Sequence, residues 1–279
     1  MIDFMLWLEN FRTPFFNKIF ALLTILGDET VILVIMCIIF WCTSKQAGYK
    51  LGLAVVFNAA VNGAIKDIFM VTRPYDLDNR LHPLEIETTG DTYSMPSGHT
   101  QNVTALWFSL SLSYKKKVFY IFTFTLSALV AFSRIYLSVH TPLDVLVGFT
   151  LAIILTFLCH YVIDLCSSKK IYYPMFLLIL PVAVTMFFVQ TENYFKLAGL
   201  CIAFVIGYYI ENKYIQFTVK TTLVKQFFKI LIGLTIALLI KILLKAVLPD
   251  QIIFHLARYV LLGLSVVVLS PFLFKKLNL

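Results

Sequence analysis

The sequence predicts an all-α, polytopic transmembrane helical bundle of about nine spans, and three observations carry that reading. Of 279 residues, 60% are apolar, where soluble domains hold roughly 45–50%. Charged residues amount to only 14%, against about 25% in ordinary domains. The apolar side chains also come in long runs. A bilayer span takes about 20 apolar residues, so a chain of this composition fills on the order of eight helices. One soluble core cannot hide that much apolar surface, and the same composition excludes disorder, collagen and a disulfide scaffold.

The elements follow in order. Residues 1–27 mix Phe, Leu and Trp with Asp3, Glu9, Arg12 and Lys18, which predicts an amphipathic helix at the membrane surface, with 15–26 as an alternative short span. Gly27-Asp28-Glu29 breaks the pattern. Nine apolar segments follow, at about 30–43, 48–70, 99–113, 117–136, 142–164, 172–190, 194–210, 226–247 and 252–274. Most connections are too short to fold separately. The organisation expected is an interfacial helix (1–27), a membrane core (28–165) and additional C-terminal transmembrane helices (166–279), with no internal repeat. Met1-Ile2-Asp3 shows no basic n-region, and no small-residue cleavage site follows, so no removable signal peptide is expected.

The formal net charge is +8. The lysines lie in short clusters between apolar runs, so no nucleic-acid partner is expected. Numbering the loops alternately puts Lys45, Lys50, Lys115, Lys116, Lys117, Lys169, Lys170, Lys213, Lys220, Lys225, Lys275 and Lys276 on one side. The opposite loops carry Asp76, Asp78, Glu85, Glu87, Asp91, Glu192 and Asp250. The positive-inside rule makes the lysine side cytoplasmic. The C-terminus then faces the cytoplasm, and the long 71–98 loop faces outward from an integral membrane protein (in the cell membrane, if bacterial). The five cysteines show no CxxC or Cys/His spacing, so they are read as packing residues.

Polar groups in or beside spans are costly and ask for an explanation. Three clusters fall at outward helix ends: Lys66 with Arg73-Pro74, then Pro96-Ser97-Gly98-His99, then Ser133-Arg134 with His140 and Asp144. Each has an ordinary reading. Lys66 snorkels, Arg73 anchors at the interface, Pro-Ser-Gly caps a helix, and Asp144 caps after Thr141-Pro142. Together these readings leave three cations and two histidines gathered on one membrane face unexplained. A phosphoryl ligand explains them all. Lys66, Arg73 and Arg134 match the three equatorial oxygens of a transferring phosphoryl group. Ser97 and Gly98 open a helix whose N–H groups and dipole hold an anion, and Gly98 leaves out a Cβ that would obstruct the phosphate. Two histidines supply a nucleophile and a proton donor. Asp144, about one helical turn after His140, can fix its tautomer through one ring nitrogen and leave the other to attack phosphorus. Three fixed cations supply the charge a metal would bring, so neither metal nor cofactor is expected.

Written together, Lys66-x6-Arg73-Pro74, Pro96-Ser97-Gly98-His99 and Ser133-Arg134-x5-His140-x3-Asp144 resemble the type 2 phosphatidic acid phosphatase superfamily, over roughly residues 28–165. The resemblance implies the family's core bundle and a lipid phosphatase activity. It implies that His140 is the nucleophile and forms a phosphohistidine, that Asp144 orients it, and that His99 protonates the leaving oxygen. Lys66, Arg73, Ser97, Gly98 and Arg134 would then bind the phosphate. Lys66-Asp67, Tyr93-Ser94-Met95-Pro96-Ser97 and the extra C-terminal spans look like sphingosine-1-phosphate phosphatases, but Gly98 fits the broader superfamily. A bacterial enzyme acting on undecaprenyl diphosphate or phosphatidylglycerol phosphate is an equal alternative. The implied partners are a lipid phosphate or polyprenyl diphosphate substrate and membrane lipids. A lipid phosphotransferase using the same phosphohistidine and a non-enzymatic lipid transporter or binding protein are the competing functional classes. Glu192, Glu211, Lys241, His255 and Arg258 form no recognised motif, and the segment after about 170 reads as added packing or a homo-oligomer surface.

Overall fold

The computed structural model describes residues 1–85 and 92–279. Glu87 and Asp91, two of the acids counted on the motif side, lie outside the described residues. The described residues form helices joined by turns and loops, with no strand among them, and each of the nine apolar segments folds mainly as helix. The chain divides into two compact units, Met1–Leu33 with Val61–Phe157, and Val34–Ala60 with Leu158–Leu279.

In the first unit, the N-terminal segment expected as one helix is two. These are α1 (Ile2–Glu9) and α2 (Pro14–Ile25). Pro14 sits at the first turn of α2, where its missing N–H costs nothing, and the Thr13 hydroxyl accepts the Phe16 N–H at 3.3 Å. Trp7 is exposed, whereas Met5 and Leu8 pack on Leu81, Ile135 and Val145. The buried face of α1 therefore rests on protein. The Asp28 carboxylate accepts the Thr30 N–H at 2.8 Å and starts α3 (Glu29–Ile38) as a helix cap does.

The motif-bearing elements follow: α4 (Lys45–Phe69), the single turn α5 (Pro74–Leu77), α6 (Gly98–Tyr114), α7 (Lys117–Tyr136) and α8 (Pro142–Lys169). Small hydroxyl residues let α6 and α7 approach closely and hydrogen-bond across their seam. Thr104 donates to Ser127 at 2.9 Å, and Ser111 meets Thr123 at 2.9 Å.

The second unit holds α9 (Tyr173–Thr185), α10 (Glu192–Ile210), α11 (Leu223–Val247), α12 (Ile252–Leu264) and α13 (Ser270–Lys276). It accounts for Glu211, which the sequence left without a role. That fully buried carboxylate pairs with Lys45 at 2.7 Å and accepts hydrogen bonds from the Tyr49 hydroxyl and, at 3.0 Å, the Phe217 N–H. A buried carboxylate needs such company.

Six helices among the described residues are long and apolar enough to cross a membrane; α2 with Glu29–Thr43, bent by 46°, brings the number to seven if that pair is a single broken span. The other two expected spans are shorter helices, α6 with 17 residues and α9 with 13. α6 buries Thr100, Gln101, Thr104, Ser109 and Ser111, the polar content its site and seam require.

Candidate active site

The site is assembled entirely within the first unit, from the end of α4, the turn after it, the start of α6, the end of α7 and the start of α8. Lys66 is buried near the end of α4, and its ammonium donates to the carbonyls of Tyr93 and, at 3.4 Å, Ser94. Arg73, also buried, precedes α5. Its Nε donates to the Thr92 carbonyl at 3.0 Å and its Nη1 to the Val139 carbonyl at 3.0 Å. These bonds tie the segment before α6 to both cations, and the turn before α8 to Arg73.

His140 is almost wholly buried in the turn between α7 and α8. Arg73 Nη1 lies 3.1 Å from its Nε2. A guanidinium can only donate, so Nε2 presents its lone pair and Nδ1 carries the ring proton. Burial, then the charges of Arg73, Arg134 and Lys66, hold the His140 pKa well below 6.5. The ring is therefore neutral at pH 7, with its basic nitrogen facing the cations.

Asp144 Oδ2 is 3.6 Å from His140 Nδ1, longer than a hydrogen bond. Nδ1 is buried without a hydrogen-bond partner among the described residues. The expected direct bond is thus a close approach here. The same carboxylate oxygen accepts from the Ser94 hydroxyl at 2.6 Å and from the Thr141 N–H at 2.7 Å. The capping contact of Asp144 is therefore present, and the same carboxylate stands close to the His140 ring without bonding it. Ser94 is one residue that sequence reasoning missed. Its sole signal was its place within Tyr93-Ser94-Met95-Pro96-Ser97.

At the start of α6, the Ser97 N–H donates to the Asp144 carbonyl at 3.0 Å, so that amide is not available to an anion as expected. The Ser97 hydroxyl meets Thr100 Oγ1 at 3.1 Å. The close seat of Ser97 against α8 requires glycine at 148, where a Cβ would fall 2.7 Å from the Ser97 carbonyl oxygen. At Gly98 the nearest atom to an added Cβ is Asn62 Oδ1 at 3.7 Å. That is ordinary van der Waals distance, so no atom of the described residues demands glycine there. Asn62 steadies this stretch from α4 by donating to Gln101 Oε1 at 2.8 Å and the Pro96 carbonyl at 3.3 Å. His99 is half-buried one residue further on.

Arg134 is fully buried in the last turn of α7, and its Nη1 donates to the Thr24 hydroxyl of α2 at 2.7 Å. Its carbonyl accepts the N–H groups of Val139 and His140 at 3.2 and 3.3 Å, so the residue shapes the histidine turn as well as charging it. Ser138 in that turn adopts φ +58°, an uncommon conformation for a residue with a side chain. Arg12 and Glu9 hold it there. Arg12 Nη2 donates to the Tyr136 carbonyl at 2.6 Å and to Ser138 Oγ at 2.8 Å, and Ser138 Oγ donates to Glu9 Oε1 at 2.8 Å. The sequence offered only amphipathicity for these two.

The structure therefore brings all eight expected residues into one neighbourhood. Among the described residues no group of three His, Cys, Asp or Glu side chains is placed to hold a metal ion. The chemistry on offer is an anion cradle around a neutral imidazole.

A family model described as PAP2 superfamily matches residues 47–167, and one described as PAP2 superfamily phosphatase, transmembrane extension, matches 195–279. The chain is 30% identical over 160 residues to phosphatidylglycerophosphatase B of Bacillus subtilis (strain 168), covering 53% of this chain and 75% of that protein. It is 30% identical over 156 residues to an undecaprenyl-diphosphatase of Sulfolobus acidocaldarius, covering 56% and 74%. A probable sphingosine-1-phosphate phosphatase of Dictyostelium discoideum is 26% identical over 52% of this chain, and the match spans only 38% of that relative's length. Among solved structures, a PAP2-type phosphatidylglycerolphosphate phosphatase from Bacillus subtilis matches with TM-score 0.48 and 27% identity, over 57% of this chain and 81% of that one.

Proposed function

The chain belongs to the PAP2 superfamily, and from that premise we propose an integral-membrane, metal-independent lipid phosphatase that works through a phosphohistidine on His140. The observation that carries this reading is the 3.1 Å approach of Arg73 Nη1 to His140 Nε2. A basic, neutral ring nitrogen faces a guanidinium, and an incoming phosphate would satisfy both.

In the first half-reaction the Nε2 lone pair attacks phosphorus, the bond from phosphorus to the lipid oxygen breaks, and His99 gives that oxygen a proton. Lys66, Arg73, Arg134 and the α6 start around Ser97 and Gly98 neutralise charge on the equatorial oxygens. Asp144 favours the Nδ1–H tautomer and the cation that forms at the ring. In the second half-reaction water gives its proton to His99, attacks phosphorus and breaks the N–P bond, releasing phosphate. Metal independence is supported by the three cations of the donor set, beside which no carboxylate cluster stands among the described residues.

The relatives' names support a phosphorylated lipid, carried as a phosphomonoester or a terminal diphosphate. In this reading the bundle has nine spans, counting α6 and α9 as short ones, with residues 28–165 as catalytic core and 166–279 as extension. The active site faces the extracytoplasmic side and the C-terminus the cytoplasm, as the lysine distribution favours. Additional packing or a homo-oligomer surface is the role assigned to the extension.

The test is phosphate release by the purified protein from phosphatidic acid, sphingosine-1-phosphate, phosphatidylglycerol phosphate and polyprenyl diphosphate, with and without excess chelator. The expected result is release from at least one of them, unchanged by chelator and lost by several orders of magnitude in His140→Ala. Near-normal turnover in His140→Ala would overturn the nucleophile assignment. Release that chelator abolishes and magnesium restores would overturn the metal-free mechanism.

A further inference from the structure

We infer that the turn joining α11 to α12 carries a second anion site, made of residues outside the histidine site and built to hold the phosphate group of a membrane phospholipid. Glu192, Lys196, Lys241, Lys245, Asp250, His255 and Arg258, scattered in sequence, line one cavity of about 240 Å³. Its two acids are already engaged. Glu192 is ion-paired with Lys196 and lies 3.5 Å from His255 Nε2. Asp250 takes Arg258 Nη1 at 3.1 Å and His255 Nε2 at 3.2 Å.

Two cations are left over. Lys241 and Lys245 stand four residues apart on α11, hence on one helix face, and both line the cavity. Neither has an ion-pair partner among the described residues. Lys196, Lys241, Lys245 and Arg258 against Glu192 and Asp250 leave a surplus of two positive charges when His255 is neutral. Arg258, 8% exposed, also keeps a buried Nε without a hydrogen-bond partner among the described residues.

Uncompensated cations within a membrane helix are costly and ordinarily find a partner. Lys241 and Lys245 are exposed near the C-terminal end of α11, and the described residues supply neither with an ion-pair partner; a lipid phosphate is an anion that can reach them there. Leu244 and Leu262 complete the wall with apolar surface, suited to the glycerol end of an acyl chain. Leu238, beside these lysines on the same face of α11, is exposed and apolar. Basic pockets between transmembrane helices bind anionic headgroups by this combination of charge and apolar surface. The inference does not depend on the reaction proposed above.

Thermal unfolding of the purified full chain in an uncharged detergent tests it, with phosphatidylglycerol, phosphatidylcholine or inorganic phosphate added. Phosphatidylglycerol is expected to raise the unfolding temperature of the wild type. In Lys241→Gln/Lys245→Gln the same rise should need at least a tenfold higher lipid concentration, while phosphatase activity is retained. Lys245→Gln alone should show a smaller shift of the same sign, which keeps the test available if the double variant fails to fold. Lys116→Gln/Lys117→Gln, which removes two lysines from another loop, should respond as the wild type does. An identical phosphatidylglycerol response in wild type and in the Lys241/Lys245 variants would overturn the site. A rise with inorganic phosphate and none with phosphatidylglycerol would overturn the lipid as its occupant.

Discussion

Ser94 Oγ donates to Asp144 Oδ2 at 2.6 Å, while the ring nitrogen of His140 stands 3.6 Å from the same oxygen. The serine hydroxyl thus sets where the carboxylate points. A hydrogen bond to a charged group contributes about 1.5–3 kcal/mol. If that energy serves to aim Asp144, Ser94→Ala should lower kcat by roughly 10- to 100-fold with a smaller change in KM. Ser94→Thr, which keeps the hydroxyl, should recover part of the loss. Unchanged kcat in Ser94→Ala would sever the link between this hydroxyl and catalysis.

The pH profile follows from the environment of His140. Burial and the three nearby cations push its pKa down, so the reactive neutral form persists as pH falls below the ordinary value of about 6.5. The acid limb of kcat/KM in the free enzyme should therefore lie below about pH 6.5. Arg73→Gln removes one of those cations and should move the limb upward, although it also weakens phosphate binding. An acid limb above pH 7 in the wild type would contradict the assignment, bearing in mind that the two histidines titrate as a pair.

Arg12 spans from the N-terminal segment to the histidine turn, with Nη2 at 2.6 Å from the Tyr136 carbonyl and 2.8 Å from Ser138 Oγ. It touches no reacting atom and acts as a positioning residue. Arg12→Ala should lower kcat by about tenfold, the equivalent of one lost hydrogen bond of about 1.4 kcal/mol. Arg12→Lys should restore only part of it, because an ammonium cannot form the guanidinium fork. A change confined to unfolding temperature would reduce Arg12 to a purely structural anchor.

Orientation is testable by labelling intact cells, once the five native cysteines are replaced. A cysteine at Asn79, in the long loop, should react with an impermeant thiol reagent. One at Lys116 should react only after permeabilisation. The reverse pattern would put the catalytic face in the cytoplasm, against the lysine bias.

The sequence by itself determined the all-helical fold class and proposed the members of the site. A bilayer admits few backbone solutions, because each buried peptide group must bond within its own helix or a closed barrel. Composition and run length are therefore enough to read helices, and all nine apolar segments are mainly helical. Cations and histidines near membrane ends are costly enough to be visible as anomalies, which is why Lys66, Arg73, His99, Arg134, His140 and Asp144 stood out as a group, and the family resemblance then gave them roles.

Only the tertiary structure decided the supporting contacts. Ser94 meets Asp144 across 50 positions, Arg12 meets Tyr136 across 124, and Thr24 meets Arg134 across 110. A serine, a threonine or a helix-end arginine carries no local signal of its partner, since its hydrogen bond is specified by packing between distant elements. The Ser97 amide shows the same limit in reverse. Helix-start chemistry marks it as an anion donor, and the approach of α8, allowed by the missing side chain of Gly148, gives it to the Asp144 carbonyl instead. Residue types announce what chemistry is available, and the packing of α2, α4, α6, α7 and α8 decides which atoms remain to perform it.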